Sequence, residues 1–324
     1  MTRAASSLTA TPALTATAYL TAASPPTAMA NVEILERGSP RYPRALGHSA
    51  GAPRTLYVLG GCERLAGLTA EPVVAIVGSE RATDYGMEIA RSLARGLAAA
   101  GVTVLGAFAN GIAAAAHAGA LERDGPTITV MAGGVDVVAP VSRTGLYERV
   151  IASGCAISAT PCGIKQRPWS ALVRARTVAG LAALTIVVEA DEIARDLRVA
   201  HCAQALGRSV AAIPGRVTSP ASRGTNALLA QGVPLVRGAG DALDLLYRVS
   251  PGALDASSLP SRLRPDLRAL LERVGAGADT PGKLSDAGED PGQTLLALTE
   301  LELMGLLGRG DGGRYVPRQS LVGE

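Results

Sequence analysis

The sequence predicts an α/β fold, an open and mostly parallel sheet with helices on both faces, followed by a small C-terminal domain. Three observations support this prediction. Short apolar runs rich in β-branched residues recur through the middle of the chain, helical patterns separate them, and the pattern changes to short helices after residue 250. Parallel strands joined by right-handed crossovers form a doubly wound sheet, which binds ligands at the carboxyl ends of its strands.

Composition narrows the class of protein. The chain has 324 residues, is 48% hydrophobic and carries a net charge of +3, which predicts a soluble globular protein with any polyanion site confined to one region. Its four cysteines are scattered without metal-ligand spacing, and no charge-free apolar run is long enough to span a membrane. We therefore expect a cytoplasmic protein with no cofactor, no metal and no membrane partner.

Residues 1–41 are predicted to form a disordered tail, because threonines interrupt each apolar run and leave no compact core of a signal peptide. A Rossmann-like domain is predicted to follow at 42–249. Its strands are expected at VVAIVG, VTVLGA, TITVMAG, CAISAT, LTIVVEA, SVAAIPG and VPLVRGA, and its helices begin near Asp84, Gly111, Thr144, Trp169, Ile193, Gly224 and Gly240.

Residues 250–260 are predicted to link this domain to a smaller one at 261–317, which a tail at 318–324 follows. Helical patterns at 264–274, 281–286 and 291–307 precede GRGDGGRYVP, a segment typical of a hairpin. Three short helices and a hairpin predict a winged-helix domain. Its third helix carries Glu300 and Glu302 but no basic residue, which favours a protein contact over duplex DNA.

The first predicted strand of the sheet ends in a turn suited to an anion. In VVAIVGSERATDYG, Gly78 and Ser79 lead through Arg81 into a helix capped by Thr83 or Asp84. Backbone N–H groups and the positive end of the helix dipole converge at such a turn. Phosphate is the natural ligand, although an ordinary strand-to-helix turn without a ligand has the same pattern.

The densest cationic segment of the α/β domain lies at 162–181. It carries Lys165, Arg167, Arg174 and Arg176, the last two near the start of a helix. We expect these side chains to lie at the ligand edge of the sheet and to contact phosphate. Trp169, in the same segment, is suited either to stacking on a base or to covering the sheet.

Two further loops are expected at this edge. Gly224, Thr225 and Asn226 begin a helix and offer N–H donors to an anion. His117 lies on an alanine-rich helix, a setting that favours a packed core residue over a catalytic base. Several anion-binding loops at one sheet edge suit either a nucleic-acid backbone or a nucleotide.

A series of motifs resembles a known family. In order and spacing, AIVGSERATDYG, ANGIAAAAHAGAL, VRARTVAGL, TIVVEA, GRSVAAIPG and RGTNALLAQG are similar to the DNA-processing protein A family, called DprA or Smf. YPRAL and APRTLYVLGG resemble the segments that precede these motifs, and LTELELMGLLGRGDGGRYV resembles the winged-helix domain of many members. The resemblance covers residues 42–317.

This resemblance implies a usually dimeric, ATP-independent mediator that is not an enzyme. Members of the family bind single-stranded DNA and load the RecA recombinase onto it during natural transformation. Gly78 and Ser79 correspond to the family's glycine-serine turn, and 174–176 to its Arg-Asn-Arg element. Residues 224–226 correspond to its Gly-Ser-Asn sequence.

The sequence departs from the family pattern at four places. Glu80 stands where the family usually has a DNA-contacting arginine, Ala175 replaces the asparagine of Arg-Asn-Arg, and Ala113 replaces an aspartate. Residues 194–196 read Ala-Arg-Asp where the family has Ser-Gly-Ser. A carboxylate at residue 80 would repel a phosphate by about 1 kcal/mol at a separation of a few ångströms, and Arg81 is the residue that could substitute for the missing arginine.

Two alternatives stay open on the sequence alone. A nucleotide or phosphoribosyl hydrolase of a related fold would need a Pro-Gly-Gly-x-Gly-Thr loop and a nearby glutamate, whereas 214–226 lack the second glycine and we expect no acidic residue within reach. A paralogue that has lost DNA binding would act as an interaction protein through its C-terminal domain. Glu80, Ala113 and Ala175 favour this second alternative.

Overall fold

The computed structural model describes residues 31–139, 141–192, 195–249, 264–284, 291–303, 306–310 and 314–317. The predicted linker, the predicted C-terminal tail and residues 1–30 lie outside these ranges. Residues 31–41 were expected in the N-terminal tail, but strand β1 (Val32–Glu36) is part of the sheet. Only Leu35 of this strand is buried, so its apolar pattern is too weak to predict it.

Eight strands form one sheet: β1, β2 (Thr55–Leu59), β3 (Val73–Val77), β4 (Val104–Ala107), β5 (Thr127–Val130), β6 (Cys155–Ser158), β7 (Ala182–Val187) and β8 (Ser209–Ala212). Their order is β1-β2-β6-β5-β4-β3-β7-β8. The six strands from β6 to β8 are parallel, and β1 and β2 extend the sheet with antiparallel pairing. The predicted doubly wound, mostly parallel sheet is confirmed.

One predicted strand of the sheet is not formed. In VPLVRGA, a single bridge joins Leu235 to Ala212 of β8, and the segment otherwise leads into a helix. Leu235 is 48% exposed, so this segment at the sheet edge lacks the burial that stabilises a central strand.

Seven helices of the described α/β domain lie between these strands, and two follow the last one: α1 (Arg44–Gly47), α2 (Cys62–Leu68), α3 (Asp84–Ala99), α4 (Ile112–Leu121), α5 (Thr144–Ser153), α6 (Ser170–Leu181), α7 (Arg198–Ala205), and then α8 (Arg223–Ala230) and α9 (Ala239–Val249). One core packs α1, α2, α6, α7 and α8 against the sheet, and a second packs α3, α4 and α9 against its other face. All five residues of β3 are buried because it lies between both layers.

Small residues let the helices of the second layer approach closely. A Cβ atom at Gly119 of α4 would collide with the backbone of Arg91 in α3. With aromatic residues at only 3% of the chain, such alanine and glycine contacts replace the bulky side chains of a typical core. This close packing fixes α3, and with it the turn that precedes α3.

The C-terminal domain has its own core. Helices α10 (Pro265–Gly275), α11 (Pro281–Leu284) and α12 (Pro291–Leu303) pack with strands β9 (Leu307–Arg309) and β10 (Tyr315–Pro317), which pair in antiparallel directions. Glu300 of α12 forms an ion pair with Arg123, which follows α4 (3.2 Å), so α12 lies against the α/β domain. The winged-helix assignment stays a prediction.

Candidate functional site

The candidate site lies where the order of the sheet reverses. From β3 the chain adds β4, β5 and β6 on one side, and it then returns to add β7 and β8 on the other. The loops after β3 and β7 therefore leave the sheet next to each other. Doubly wound sheets bind ligands in the crevice at this point, outside the carboxyl ends of the strands.

Neighbouring loops fix the predicted glycine-serine turn after β3. The Ser79 N–H donates to the backbone oxygen of Glu189 (2.7 Å), and the Ile112 N–H donates to that of Ser79 (3.1 Å). A Cβ atom at Gly78 would collide with the Glu189 backbone oxygen. One at Gly111, whose φ is 62°, would collide with the Ser79 oxygen. Glycine is therefore required at both positions, and the turn is rigid.

The Glu189 carboxylate anchors the start of α3. It is 4% exposed and accepts hydrogen bonds from the Thr83 N–H (2.9 Å) and the Thr83 hydroxyl (2.6 Å). The same hydroxyl accepts from the Gly86 N–H (3.1 Å), which makes Thr83 the N-cap of α3. Gly86 leaves room for the carboxylate, because a Cβ atom there would collide with it.

Arg174 on α6 reaches the loops after β3 and β4. Its guanidinium donates to the backbone oxygen of Phe108 (3.4 Å) and lies 3.9 Å from the Glu80 carboxylate. The side chain of Arg174 is 15% exposed and that of Glu80 is 43% exposed. Burial lowers the pKa of Arg174, and the charge of Glu80 opposes this effect. Because arginine stays protonated in proteins, Arg174 places a largely desolvated positive charge at the crevice.

Arg176 lies apart from Arg174. It is exposed and lies beside Gly51, in the segment before β2, whereas Arg174 contacts the loops after β3 and β4. Ala175 between them is buried at 4% exposure. The structure therefore does not bring the two guanidinium groups onto the same loops.

Lys165 and Arg167 are exposed on the loop after β6, and Trp169 is 57% exposed at the start of α6. Trp169 thus does not cover the sheet, and its ring is accessible. The loop is tied to the loop after β5, because the Gly134 N–H donates to the backbone oxygen of Ile164 (2.8 Å). Arg81, in the turn after β3, is exposed as well.

Arg143 belongs to this edge but was not predicted. It ends a 3₁₀ turn, Val141–Arg143, and its Nε donates to Oδ1 of Asn110 in the loop after β4 (3.2 Å). In the sequence Arg143 has no cationic neighbour, so no cluster indicated it. The pairing of β4 with β5 places the loops after these strands side by side, and this brings Arg143 to Asn110.

Gly224, Thr225 and Asn226 lie at the edge, but their polar groups are engaged within the chain. The Gly224 N–H donates to the backbone oxygen of Ala190 (2.8 Å), and the buried Thr225 hydroxyl donates to that of Ser222 (3.1 Å). The Asn226 amide bonds both the N–H and the oxygen of Gly215 (3.2 and 3.1 Å). These contacts hold the loop after β8, and the binding role of the three residues stays a prediction.

A cavity of about 650 Å³ opens between the start of α3 and the loop after β8. Its lining residues are Thr83, Tyr85, Glu189, Pro214, Gly215, Arg216, Ser219 and Ser222. The sequence suggested that no acidic residue lies within reach of the Pro214–Gly215 loop. That expectation was wrong, because Glu189 arrives from a different strand end.

His117 is a core residue, as its alanine-rich helix suggested. It is fully buried, and its Nδ1 lies 2.7 Å from the Thr127 hydroxyl, which in turn donates to the backbone oxygen of Val104 (3.0 Å). Since that hydroxyl proton is used, His117 Nδ1–H is the donor. Burial lowers the pKa of His117 to about 4, so the imidazole is neutral and closed to a substrate.

In the described ranges, no group of three or more His, Cys, Asp or Glu side chains could hold a metal ion. None of the helices in these ranges is long and apolar enough to cross a membrane.

Comparison with known proteins gives consistent matches. A family model described as DNA recombination-mediator protein A matches residues 33–247. A DprA-named protein of Mycobacterium tuberculosis is 37% identical over 276 residues, which cover 83% of this chain and 69% of that protein. Protein Smf of Escherichia coli is 30% identical over 291 residues, covering 87% of this chain and 77% of that protein.

Two solved structures share the fold. DNA processing protein A of Streptococcus pneumoniae is 29% identical with a TM-score of 0.62, over 67% of this chain and 75% of that one. The protein from Helicobacter pylori, described for its single-stranded DNA binding mode, is 26% identical with a TM-score of 0.59. That match covers 67% of this chain and 96% of the Helicobacter chain.

Proposed function

Because this chain belongs to the DNA recombination-mediator protein A family, we propose that it is a DNA-processing protein that binds single-stranded DNA along the carboxyl edge of its sheet. A relative of the same fold is described as binding single-stranded DNA. On this proposal the phosphate backbone follows the loops after β3, β4, β5 and β6. Affinity then comes mainly from arginine and lysine contacts to phosphates.

The observation that carries the proposal is the position of Arg174. Its partly desolvated guanidinium meets two loops at the reversal point, and its carboxylate partner lies 3.9 Å away and is itself partly solvated. A phosphate offers that guanidinium two oxygens in a geometry that matches its fork. Exposed Arg81, Lys165 and Arg167 extend the positive surface on either side.

We further propose that the protein acts as a mediator without catalysing a reaction. The buried, hydrogen-bonded His117 is closed to a substrate and cannot serve as a general base. Loading of the RecA recombinase and assembly into a homodimer are the corresponding proposals for its partners. They are supported by membership of a family described as recombination mediators.

The test is fluorescence anisotropy of a labelled single-stranded oligonucleotide across a salt series, with duplex as the comparison. Arg174→Ala combined with Arg167→Ala should weaken binding and flatten the salt slope by about 1.4, which is 0.7 per lost contact. The matched control is Arg41→Ala with Arg44→Ala, because these exposed arginines line a cleft at the opposite edge of the sheet.

The outcomes separate the competing functions. Tight, salt-sensitive preference for the single strand that only the Arg174 and Arg167 variant reduces supports the proposed groove. Unchanged affinity in that variant contradicts the assignment of these arginines. Absence of binding at low salt would instead favour an interaction protein that has lost DNA binding.

A further inference from the structure

The cavity beside α3 has the size and the walls of a small-molecule site. Its volume of about 650 Å³ lies within the range of ligand pockets, roughly 300–1,000 Å³. It lies on the β7 and β8 side of the reversal point, whereas Arg174, Lys165 and Arg167 lie on or beside the loops on the other side. The phosphate-binding groove proposed above does not account for it.

Three different chemical groups line this cavity. The buried Glu189 carboxylate is a pure acceptor. Tyr85 offers an aromatic ring that is 59% exposed, in a chain with only 3% aromatic residues. Arg216, on the loop after β8, is an exposed cation. A flat ring with N–H donors on one edge and a phosphate on the other side would match all three groups.

We propose that this cavity binds one guanine nucleotide, with the base stacked on Tyr85, its Watson–Crick edge on Glu189 and its phosphate on Arg216. Binding of a free nucleotide does not depend on the proposed function. Binding of a nucleotide within a DNA strand rests on it. Stacking on an aromatic side chain is a general means of binding bases.

The carboxylate selects guanine over the other bases. Two carboxylate oxygens have about four acceptor positions, and Thr83 uses one on each oxygen through its N–H and its hydroxyl. One position remains on each oxygen, which suits a pair of adjacent donors. Guanine has such a pair in N1–H and its 2-amino group. Adenine, cytosine and thymine place an acceptor beside their donor, and the carboxylate would repel it.

The direct test is calorimetric titration of the full chain with 2′-deoxyguanosine 5′-monophosphate. The comparison ligands are the corresponding deoxyinosine nucleotide, which lacks the 2-amino group, and inorganic phosphate. We expect saturable binding of the guanine nucleotide, binding of the inosine nucleotide about tenfold weaker, as for loss of one hydrogen bond to a charged group, and no comparable binding of phosphate.

Two surface variants keep the test independent of folding. Tyr85→Ala should weaken binding of the guanine nucleotide at least fivefold, because stacking on an aromatic residue contributes about 1–3 kcal/mol per base. Tyr247→Ala on α9 is the matched control, since Tyr247 is 51% exposed and does not line the cavity. Glu189→Gln should reduce the preference for guanine over inosine. The proposal would be overturned if binding of the guanine nucleotide were not saturable. It would also be overturned if the preference for guanine over inosine were unchanged in both Tyr85→Ala and Glu189→Gln.

Oligonucleotides then distinguish the two sources of the nucleotide and the two proposals. If one central guanine in an oligothymidine strengthens binding and Tyr85→Ala removes that gain, the pocket reads a base of the strand. If the mononucleotide binds but a guanine-containing strand does not, the pocket is upheld for free nucleotides and the DNA-binding function fails. If oligothymidine binds and neither guanine ligand adds affinity, the groove stands and the pocket fails.

Discussion

Glu80 is the residue most directly opposed to anion binding at the crevice. Its carboxylate lies 3.9 Å from the Arg174 guanidinium, where a phosphate oxygen would compete for the same cation. An incoming strand must therefore displace or repel this side chain. Since Glu80 is partly exposed, water screens its charge, and the effect should be moderate.

Glu80→Gln should strengthen single-strand binding about fivefold at low salt, the equivalent of roughly 1 kcal/mol for one charge near a phosphate. Glu88→Gln, an exposed position on α3, removes the same charge and is the control. Anisotropy titrations of both variants measure the difference. Equal gains in the two variants would mean that only net charge matters and that Glu80 does not oppose the site.

His117 gives the stability of the fold a pH dependence. Burial lowers its pKa to about 4 from 6.5, so the unfolded chain binds a proton at higher pH than the folded chain does. Unfolding thus takes up a proton between these two values, and stability is complete above pH 6.5 and declines as the pH falls toward 4. The loss between pH 7 and pH 5 should be about 2 kcal/mol.

Urea unfolding at several pH values measures this loss. His117→Gln should be less stable at pH 7 and should lose that part of the pH dependence. His48→Gln should retain it, because His48 is exposed. A His117 variant with the wild-type pH dependence would show that another group carries the effect.

At the scale of elements, the glycines of the strand-to-helix turns determine how the loops of the crevice meet. Gly111→Ala places a methyl group against the Ser79 backbone oxygen at a positive φ, so it should destabilise the fold by at least 2 kcal/mol and weaken single-strand binding. Gly67→Ala in α2 is the control, since nothing lies near its Cβ position and alanine favours the helix. Thermal unfolding and anisotropy measure both effects; unchanged stability of the Gly111 variant would contradict a rigid turn.

The sequence predicted those elements whose signal is local. Strand β3 was evident because five consecutive apolar residues are buried on both faces, and Thr83 was correctly expected as a helix cap. Strand β1 was missed because it lies at the sheet edge and buries only Leu35. Strand β2 precedes the series of alternating strands and helices, and its antiparallel pairing does not follow from that series.

The site residues also divide into those with a local signal in the sequence and those without one. The glycine-serine turn directly follows strand β3, and Arg174 lies near the start of helix α6; both elements are recognisable in sequence. Glu189 and Arg143 were missed because their partners come from other strand ends, which only the strand order places nearby. The pairing of the Asn226 side chain with Gly215 could not be predicted either, because it joins two loops that only the fold brings together.

At the scale of the molecule, the ion pair of Glu300 holds the two domains together. Glu300 is 9% exposed and lies near Arg123 of the α/β domain (3.2 Å) and Arg264 of its own domain (3.7 Å). Core residues of the C-terminal domain also pack against Ala99 at the end of α3. The ion pair of Glu300 helps to explain why α12, the third helix of the C-terminal domain, is acidic, because the Glu300 carboxylate lies at the interface between the domains.

Glu300→Ala should loosen that interface and cost about 1–3 kcal/mol, because it leaves Arg123 without this carboxylate partner. Small-angle X-ray scattering should show a larger radius of gyration. Glu302→Ala is the control, because Glu302 pairs with Arg309 inside the C-terminal domain (2.8 Å). A scattering curve unchanged by Glu300→Ala would mean that apolar packing alone keeps the domains in contact.

The backbone tie between the loops after β5 and β6 has a thermodynamic consequence. Because Gly134 holds Ile164, the chain around Lys165 and Arg167 loses its conformational entropy during folding, before any anion arrives. A flexible loop would lose that entropy on association, and the observed affinity would be lower by the same amount. The modest number of cations at this edge can therefore bind more tightly than the same charges on an unconstrained segment.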